Sequence, residues 1–307
     1  MNARFLWFVP ALALAQAATA EAPAVATDIP PVHALVSRVM EGVGTPALII
    51  QPGASPHAYA LRPSDARALQ GADAVFWVGP GLTVWLEDPL AALSGKAQTV
   101  ALINTPGTTT LPFREGATFD AHDHDHGDDH AGHDHGDEMD PHAWLDPENA
   151  RTWLGVIAET LAGLDPDNAE TYRSNATAGR AELTTLIDEI AARVTPVHDR
   201  HFIVFHDAYQ YFEARFDIAA AGSISLGDAS SPSPARIAEI RDKVTELDVR
   251  CVFAEPQFNP GLIATVLDGT EAQTGTMDPL GADLTPGAAL YPALIEGLAN
   301  DLVACLQ

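Results

Sequence analysis

Three histidines and one aspartate stand where this chain could gather them around a metal ion. His57 lies in "GASPHAY", just after the apolar run "PALIIQ", and His206 ends the apolar run "HFIVFH". His142 lies in "DPHAWLDP", directly before a helical pattern, and Asp278 follows a short strand pattern in "GTMDPLG". Open α/β sheets place ligands at the carboxyl ends of their strands, which is where His57 and His206 fall. Three imidazole nitrogens and one carboxylate oxygen suit tetrahedral Zn2+, with bonds of about 2.0–2.2 Å. Spacing alone is a weak warrant. A histidine at a strand end is more often a hydrogen-bonded structural residue than a ligand. His33, His198 and His201 lack comparable surroundings and read as surface or capping residues.

A second group of histidines stands out by composition. His122, His124, His126, His130, His133 and His135 crowd the stretch "AHDHDHGDDHAGHDHGDEMD", with nine acidic residues between Asp120 and Asp140. The plain alternative is a solvated acidic tract with incidental histidines, and the density of six argues against it. The run is internal and interleaved with aspartate, which also argues against an expression tag. Neutral imidazoles bind Zn2+, and aspartates raise the local cation concentration. A flexible segment must lose about 1–2 kcal/mol of chain entropy per fixed backbone residue to close on a metal. These six histidines therefore read as a weak accessory collector.

The bulk numbers narrow the setting. A chain of 307 residues allows two ordinary domains. Its formal net charge of -26 disfavours nucleic acid and anionic membranes as partners, because their phosphates would be repelled. Residues 1–20 read as a cleaved signal peptide: Arg4 supplies the positive start, "FLWFVPALALA" the apolar stretch and "ATA" the cleavage site. That stretch is too short to span a bilayer. No cysteine lies near the cleavage site, so a lipid anchor is not indicated. In an oxidising compartment Cys251 and Cys305 read most simply as one disulfide, with two buried thiols as the alternative.

The elements that must position these residues alternate along the chain. "AVAT", "PALIIQ", "DAVFWVG" and "QTVALI" read as strands, with helical spacing in "PPVHALVSRVMEGV", in "RPSDARALQGA" and near 83–93. Short Gly/Pro loops separate them, the signature of a parallel sheet flanked by helices. Periodicity vanishes after Thr105, and 115–140 is expected to be a mobile loop. Helix resumes at "LDPENARTWLGVIAETLAGL", with Asp146 suited to the N-cap and Pro147 to the first helical position. Residues 165–196 then hold one long helical pattern between Pro166 and Pro196. Strands at "HFIVFH", "IAAAGSIS", "RCVFAEP" and "TGTMDP" alternate with helices at "DAYQYFEARF", 234–247, 259–269 and 288–304. The expected architecture is α/β: an N-terminal lobe over 21–164, a backbone helix over 165–196 and a C-terminal lobe over 197–307.

Five segments carry a more specific signal: "GASPHAYALRPSDARALQGADAVFWVGPGL", "MDPHAWLDPENAR", "VFHDAYQYFEARF", "CVFAEPQFNP" and "TMDPLG". In this order, over nearly the whole mature chain, they resemble the zinc-specific substrate-binding proteins of bacterial ABC importers (the ZnuA type, cluster A-I). The resemblance implies two α/β lobes joined by a rigid helix, with Zn2+ held between them as transported ligand. It matches His57, His142 and His206 to the family's three histidine ligands and Asp278 to an aspartate that is a ligand in some members. Pro56 precedes His57, so no carboxylate is available there, which leaves Asp278 favoured over water for the fourth position. Manganese-binding relatives usually carry glutamate where this chain has His206, and a third imidazole favours zinc. The resemblance also pairs Cys251 with Cys305.

The implied setting is the periplasm, and the implied partner is the membrane permease of an ABC zinc importer. Periplasmic zinc chaperones are further candidate partners, and a monomer is expected. Two other functions compete with the receptor. One is an exported zinc-dependent hydrolase, for which Glu255 is the candidate base. Its plainer role is that of a hydrogen-bonded carboxylate supporting the cleft, and no HExxH or GxSxG motif is present. The other is a free periplasmic zinc buffer. As a receptor the chain is not an enzyme. Its rigid helix implies small cleft motions, with His206 or Asp278 shifting relative to His57 on release.

Overall fold

The computed structural model describes residues 22–114, 118–119, 139–225, 232–258 and 261–307. The expected signal peptide and the six clustered histidines from His122 to His135 lie outside the described residues. No helix among the described residues is long and apolar enough to cross a membrane.

The first lobe runs β1 (Val25–Thr27), α1 (Pro30–Val39), β2 (Ala47–Leu48), α2 (Pro63–Gly71), β3 (Ala74–Trp77), α3 (Glu87–Leu93) and β4 (Gln98–Ala101). All pairings are parallel, in the order β2-β1-β3-β4. β1 and β3 are buried throughout, as expected of central strands covered by helices on both faces. The strand expected over 46–51 contracts to two residues. Ile49 and Ile50 still donate backbone N–H groups to Thr27 O and Asp28 O, so the chain follows the sheet edge beyond β2.

Asp28 closes the gap between β1 and β3. One carboxylate oxygen accepts from Ile29 N and the other from Val78 N, each at 2.8 Å. The crevice at this topological switch point, where open sheets take ligands, is thus filled by the chain's own carboxylate.

Two long helices follow. α4 (Pro147–Leu164) begins as the sequence implies: Asp146 accepts from Glu148 N at 2.9 Å, and Pro147 opens the helix. α5 (Ala169–Val194) has 26 residues and spans about 39 Å. Its buried residues Tyr172, Ala176, Gly179, Leu183, Leu186, Ile190 and Val194 recur every three or four positions and face α1, α4 and α9. Short 3-10 turns at Pro166–Asn168 and Thr195–Val197 extend α5 at both ends, so the expected helix over 165–196 is present as one continuous rod.

The second lobe runs β5 (Phe202–His206), α6 (Gln210–Phe216), β6 (Gly222–Ser225), α7 (Pro234–Glu246), β7 (Cys251–Ala254), α8 (Gly261–Leu267), β8 (Gln273–Thr276) and α9 (Leu290–Leu306). Its sheet is parallel, in the order β6-β5-β7-β8. The two lobes therefore repeat one topology around α5. They also share a core: α9 packs on α1 and α5, and a single buried apolar cluster runs from Val25 to Leu306. A smaller cluster lies beneath α7 and α8. Cys251, opening β7, is bonded to Cys305 near the end of α9.

His33 departs from expectation. It is buried in α1, with Nε2 3.2 Å from Pro46 O and Nδ1 3.4 Å from Ser37 Oγ, and burial holds its pKa below the usual value. It is a satisfied core histidine, not a surface or capping one. The sequence of α1 carries the signal, since the residues flanking His33 (Pro30, Pro31, Val32, Ala34, Leu35 and Val36) are all apolar.

Candidate metal centre

Three elements bring His57, His142 and His206 together from positions 57, 142 and 206. Each offers one ring nitrogen, and the three nitrogens lie within 4.8 Å of one another. His206 is the last residue of β5, buried against the ring of Phe258. His142 precedes a 3-10 turn, Ala143–Leu145, that leads into α4. His57 sits on the loop between β2 and α2. Trp85 Nε1 donates to Pro56 O at 2.7 Å, and the Tyr59 hydroxyl donates to Ile49 O and Asp65 Oδ2, each at 3.0 Å. The loop is thus pinned on both sides of His57.

Two of the imidazoles are oriented by carboxylates. His206 Nδ1 is 2.6 Å from Glu255 Oε1, and His142 Nδ1 is 2.6 Å from Asp140 Oδ1. Each carboxylate also accepts the backbone N–H of its histidine. An ionised carboxylate can only accept, so the ring proton belongs on Nδ1 and the lone pair on Nε2. The two Nε2 atoms then face each other at 3.3 Å. Two lone pairs at that separation repel unless a cation lies between them. Ligands at about 2.0–2.1 Å in a tetrahedral shell stand roughly 3.3 Å apart, the separation found here. Burial pushes Asp140 up to about 7, against the opposing pull of the His142 backbone N–H and Arg114. A bound cation favours the ionised form further.

The cleft walls are mainly apolar, from Pro56, Trp144, Phe258, Pro279 and Leu280. Links across the lobes hold the His142 segment in place. Trp144 Nε1 donates to Pro279 O at 2.8 Å, the Tyr291 hydroxyl donates to Trp144 O at 2.7 Å, and Arg215 forms two 2.7 Å bonds to Asp146.

Asp278 is not drawn into the three-histidine cluster. Its Oδ1 accepts from Gln257 Nε2 and Leu280 N, and its Oδ2 accepts from Ala282 N. It organises the turn after β8, beside the cleft. Two residues gain roles that the motif spacing did not assign. Asp140 falls inside the stretch expected to be a mobile loop, yet it is 1% exposed and oriented toward His142. Its position two residues before a candidate ligand was the available signal. Glu255, the candidate base, hydrogen-bonds His206 through Oε1, the contact that its plainer role as a supporting carboxylate calls for.

The likeness to known proteins agrees with this geometry. The family model of the periplasmic zinc-uptake complex component A, ZnuA, matches residues 25–305. The high-affinity zinc uptake system protein ZnuA of Brucella suis biovar 1 is 47% identical over 309 residues, covering 94% of this chain and 92% of its own. Its namesake from Paracoccus denitrificans is 44% identical over 304 residues, covering 94% and 93%. A crystal structure of a ZnuA superposes with a TM-score of 0.78 at 24% identity, over 93% of this chain and 100% of that one, which shows the common fold. With the family model matched across both lobes and relatives near half identity over almost their whole length, the chain belongs to the ZnuA family of periplasmic zinc-uptake components.

Proposed function

We propose that this protein is a periplasmic zinc receptor, which holds Zn2+ between His57, His142 and His206 and hands it to the permease of an ABC importer. The observation that carries the reading is the pair of Nε2 atoms facing each other at 3.3 Å, with a nitrogen of His57 within 4.8 Å of both. Three neutral imidazoles suit zinc, a borderline metal, better than the harder divalent cations. Water takes the fourth position in this reading. Asp278 already accepts bonds from Gln257, Leu280 and Ala282, which hold its carboxylate to the turn after β8. Residues 1–20 act as the export signal, and the six histidines from His122 to His135 act as a weaker collector.

The site favours holding over catalysis. Glu255 Oε1 lies 2.6 Å from His206 Nδ1, which supports the reading of this carboxylate as the partner of a ligand. The relatives named above are uptake components, which points the same way and away from the hydrolase and the free buffer.

The test is zinc stoichiometry and affinity for three proteins: the wild type, a His57→Ala, His142→Ala, His206→Ala triple variant, and a deletion of 120–138. The triple variant is expected to lose the tight phase and keep a weak one, and the deletion to do the reverse. A tight phase that disappeared with 120–138 would overturn the cleft assignment. X-ray absorption at the zinc edge counts the histidine nitrogens directly.

A further inference from the structure

Arg114 lies on the stretch that leaves the first lobe after β4 and reaches the edge of the second sheet. Leu111 N donates to the Tyr211 hydroxyl at 2.9 Å, and Phe119 N donates to Ala221 O at 3.0 Å beside a bridge between Thr118 and Gly222. Between these anchors the Arg114 guanidinium grips two carboxylates at once. Its Nε is 3.0 Å from both oxygens of Asp207, and Nη2 also bonds Asp207 Oδ1. Nη1 is 2.7 Å from Glu213 Oε2, and Nη2 is 3.0 Å from Glu213 Oε1. The ring of Phe119 covers the guanidinium at 3.8 Å. Asp207 and Glu213 are 7% and 3% exposed, so this is a buried network, unlike the exposed ion pairs elsewhere on the surface.

Asp207 is the residue after His206, and Glu213 lies on α6, so Arg114 ties together the two ends of the β5–α6 turn. Glu255 orients the ring of His206, while the backbone that carries this ring leaves the sheet at His206 itself. Beyond that point the chain is held by Ala208 N donating to His206 O, by the Tyr209 hydroxyl donating to Met277 O, and by the carboxylate of Asp207 in the grip of Arg114. We propose that Arg114 is a positioning residue for metal binding: by gripping Asp207 and Glu213 it fixes the turn that presents His206 to the cleft. The inference rests on the reading of the three histidines as the zinc site. A lysine replaces it only in part, because one ammonium lacks the planar fork that serves two carboxylates together.

The experiment uses the mature chain with three changes: Arg114→Met, Arg114→Lys, and Arg114→Met combined with Asp207→Asn. Zinc release into a chromophoric chelator is timed, and the cobalt absorption spectrum is recorded at saturating cobalt. Arg114→Met is expected to release zinc about 10-fold faster, the lower end of the range for a direct partner of a metal ligand, because Arg114 acts through Asp207. Arg114→Lys is expected to fall between it and the wild type. A changed cobalt spectrum at full loading distinguishes a displaced ligand from a general loss of stability. Arg114→Met leaves two buried carboxylates without their cation. If it fails to fold, the combined variant, which removes one of those charges, carries the test. Zinc release and a cobalt spectrum indistinguishable from wild type, in either variant once folded, would overturn the proposal. A wild type that takes up no zinc, or a triple-alanine variant that keeps the tight phase, would overturn the metal-site reading instead.

Discussion

Glu255 Oε1 lies 2.6 Å from His206 Nδ1, in a carboxylate that is 4% exposed. This bond sets the tautomer of His206 and turns its Nε2 toward His142. It also raises the basicity of the ring as a ligand. Glu255→Gln keeps an acceptor oxygen and loses the charge, whereas Glu255→Ala loses both. Zinc affinity, measured by competition with a chelator, is expected to fall about 10-fold for the glutamine variant and toward 100-fold for alanine. An unchanged affinity in a folded Glu255→Ala protein would remove Glu255 from the account.

The disulfide joins the start of β7 to the end of α9 and closes a loop with a sequence separation of 54. The chain-entropy model assigns such a closure about 4 kcal/mol of stability. Replacing Cys251 and Cys305 together with alanine is expected to lower the unfolding free energy in urea by that order. Zinc stoichiometry under native conditions is expected to stay the same, because neither sulfur lines the cleft. A double variant as stable as the wild type would show that α9 packing alone holds the β7 end in place.

Asp28 supplies a pH dependence that is separate from the metal site. Burial raises its pKa to about 7, even though Val78 N and Ile29 N favour the ionised form. A carboxyl raised on folding stabilises the fold most below its unfolded pKa and loses that contribution as pH climbs to the folded value. Stability should therefore fall between about pH 4 and pH 7, by up to about 1.4 kcal/mol per pH unit from this group. Asp28→Asn cannot titrate, and its amide turns a donor toward one of the two N–H groups. It is expected to cost about 1–3 kcal/mol and to flatten the slope. Urea unfolding of both proteins at pH 5 and pH 8 reads the difference, and equal slopes would refute the assignment.

Much of this was legible in the chain before folding was considered. The alternation of apolar runs and helical spacings placed the strands and helices among the described residues of both lobes, because buried parallel strands are short continuous apolar runs and amphipathic helices repeat every three to four residues. The caps of α4 were legible because Asp146 and Pro147 act locally. The three histidines could be nominated from strand ends, but their convergence depends on how α5 sets one lobe against the other. The supports of the site were harder to read. Asp140 belongs by composition to an acidic tract, and Arg114 is a lone cation in a stretch without periodicity. The partners of Arg114, Asp207 and Glu213, are 93 and 99 residues away, and only tertiary structure shows the connection. Asp278 adds a second case of hidden partners. Its motif position suggests a ligand, and its oxygens also accept bonds within the local turn, which the motif did not reveal.

Release of the metal is expected to involve small displacements within the cleft. A wide hinge would have to part α9 from α1 and break the Trp144–Pro279, Tyr291–Trp144 and Arg215–Asp146 links together. It would also expose the core shared by both lobes, at about 25 cal/mol for each Å2 of apolar surface. The only two lysines, Lys96 and Lys243, lie one in each lobe and give a pair of amine labels once the α-amino group is blocked. Energy transfer between them should change by no more than a shift of about 2 Å implies when zinc is added or removed. A larger change would mean that the lobes swing about α5, and that the shared core does not hold them together.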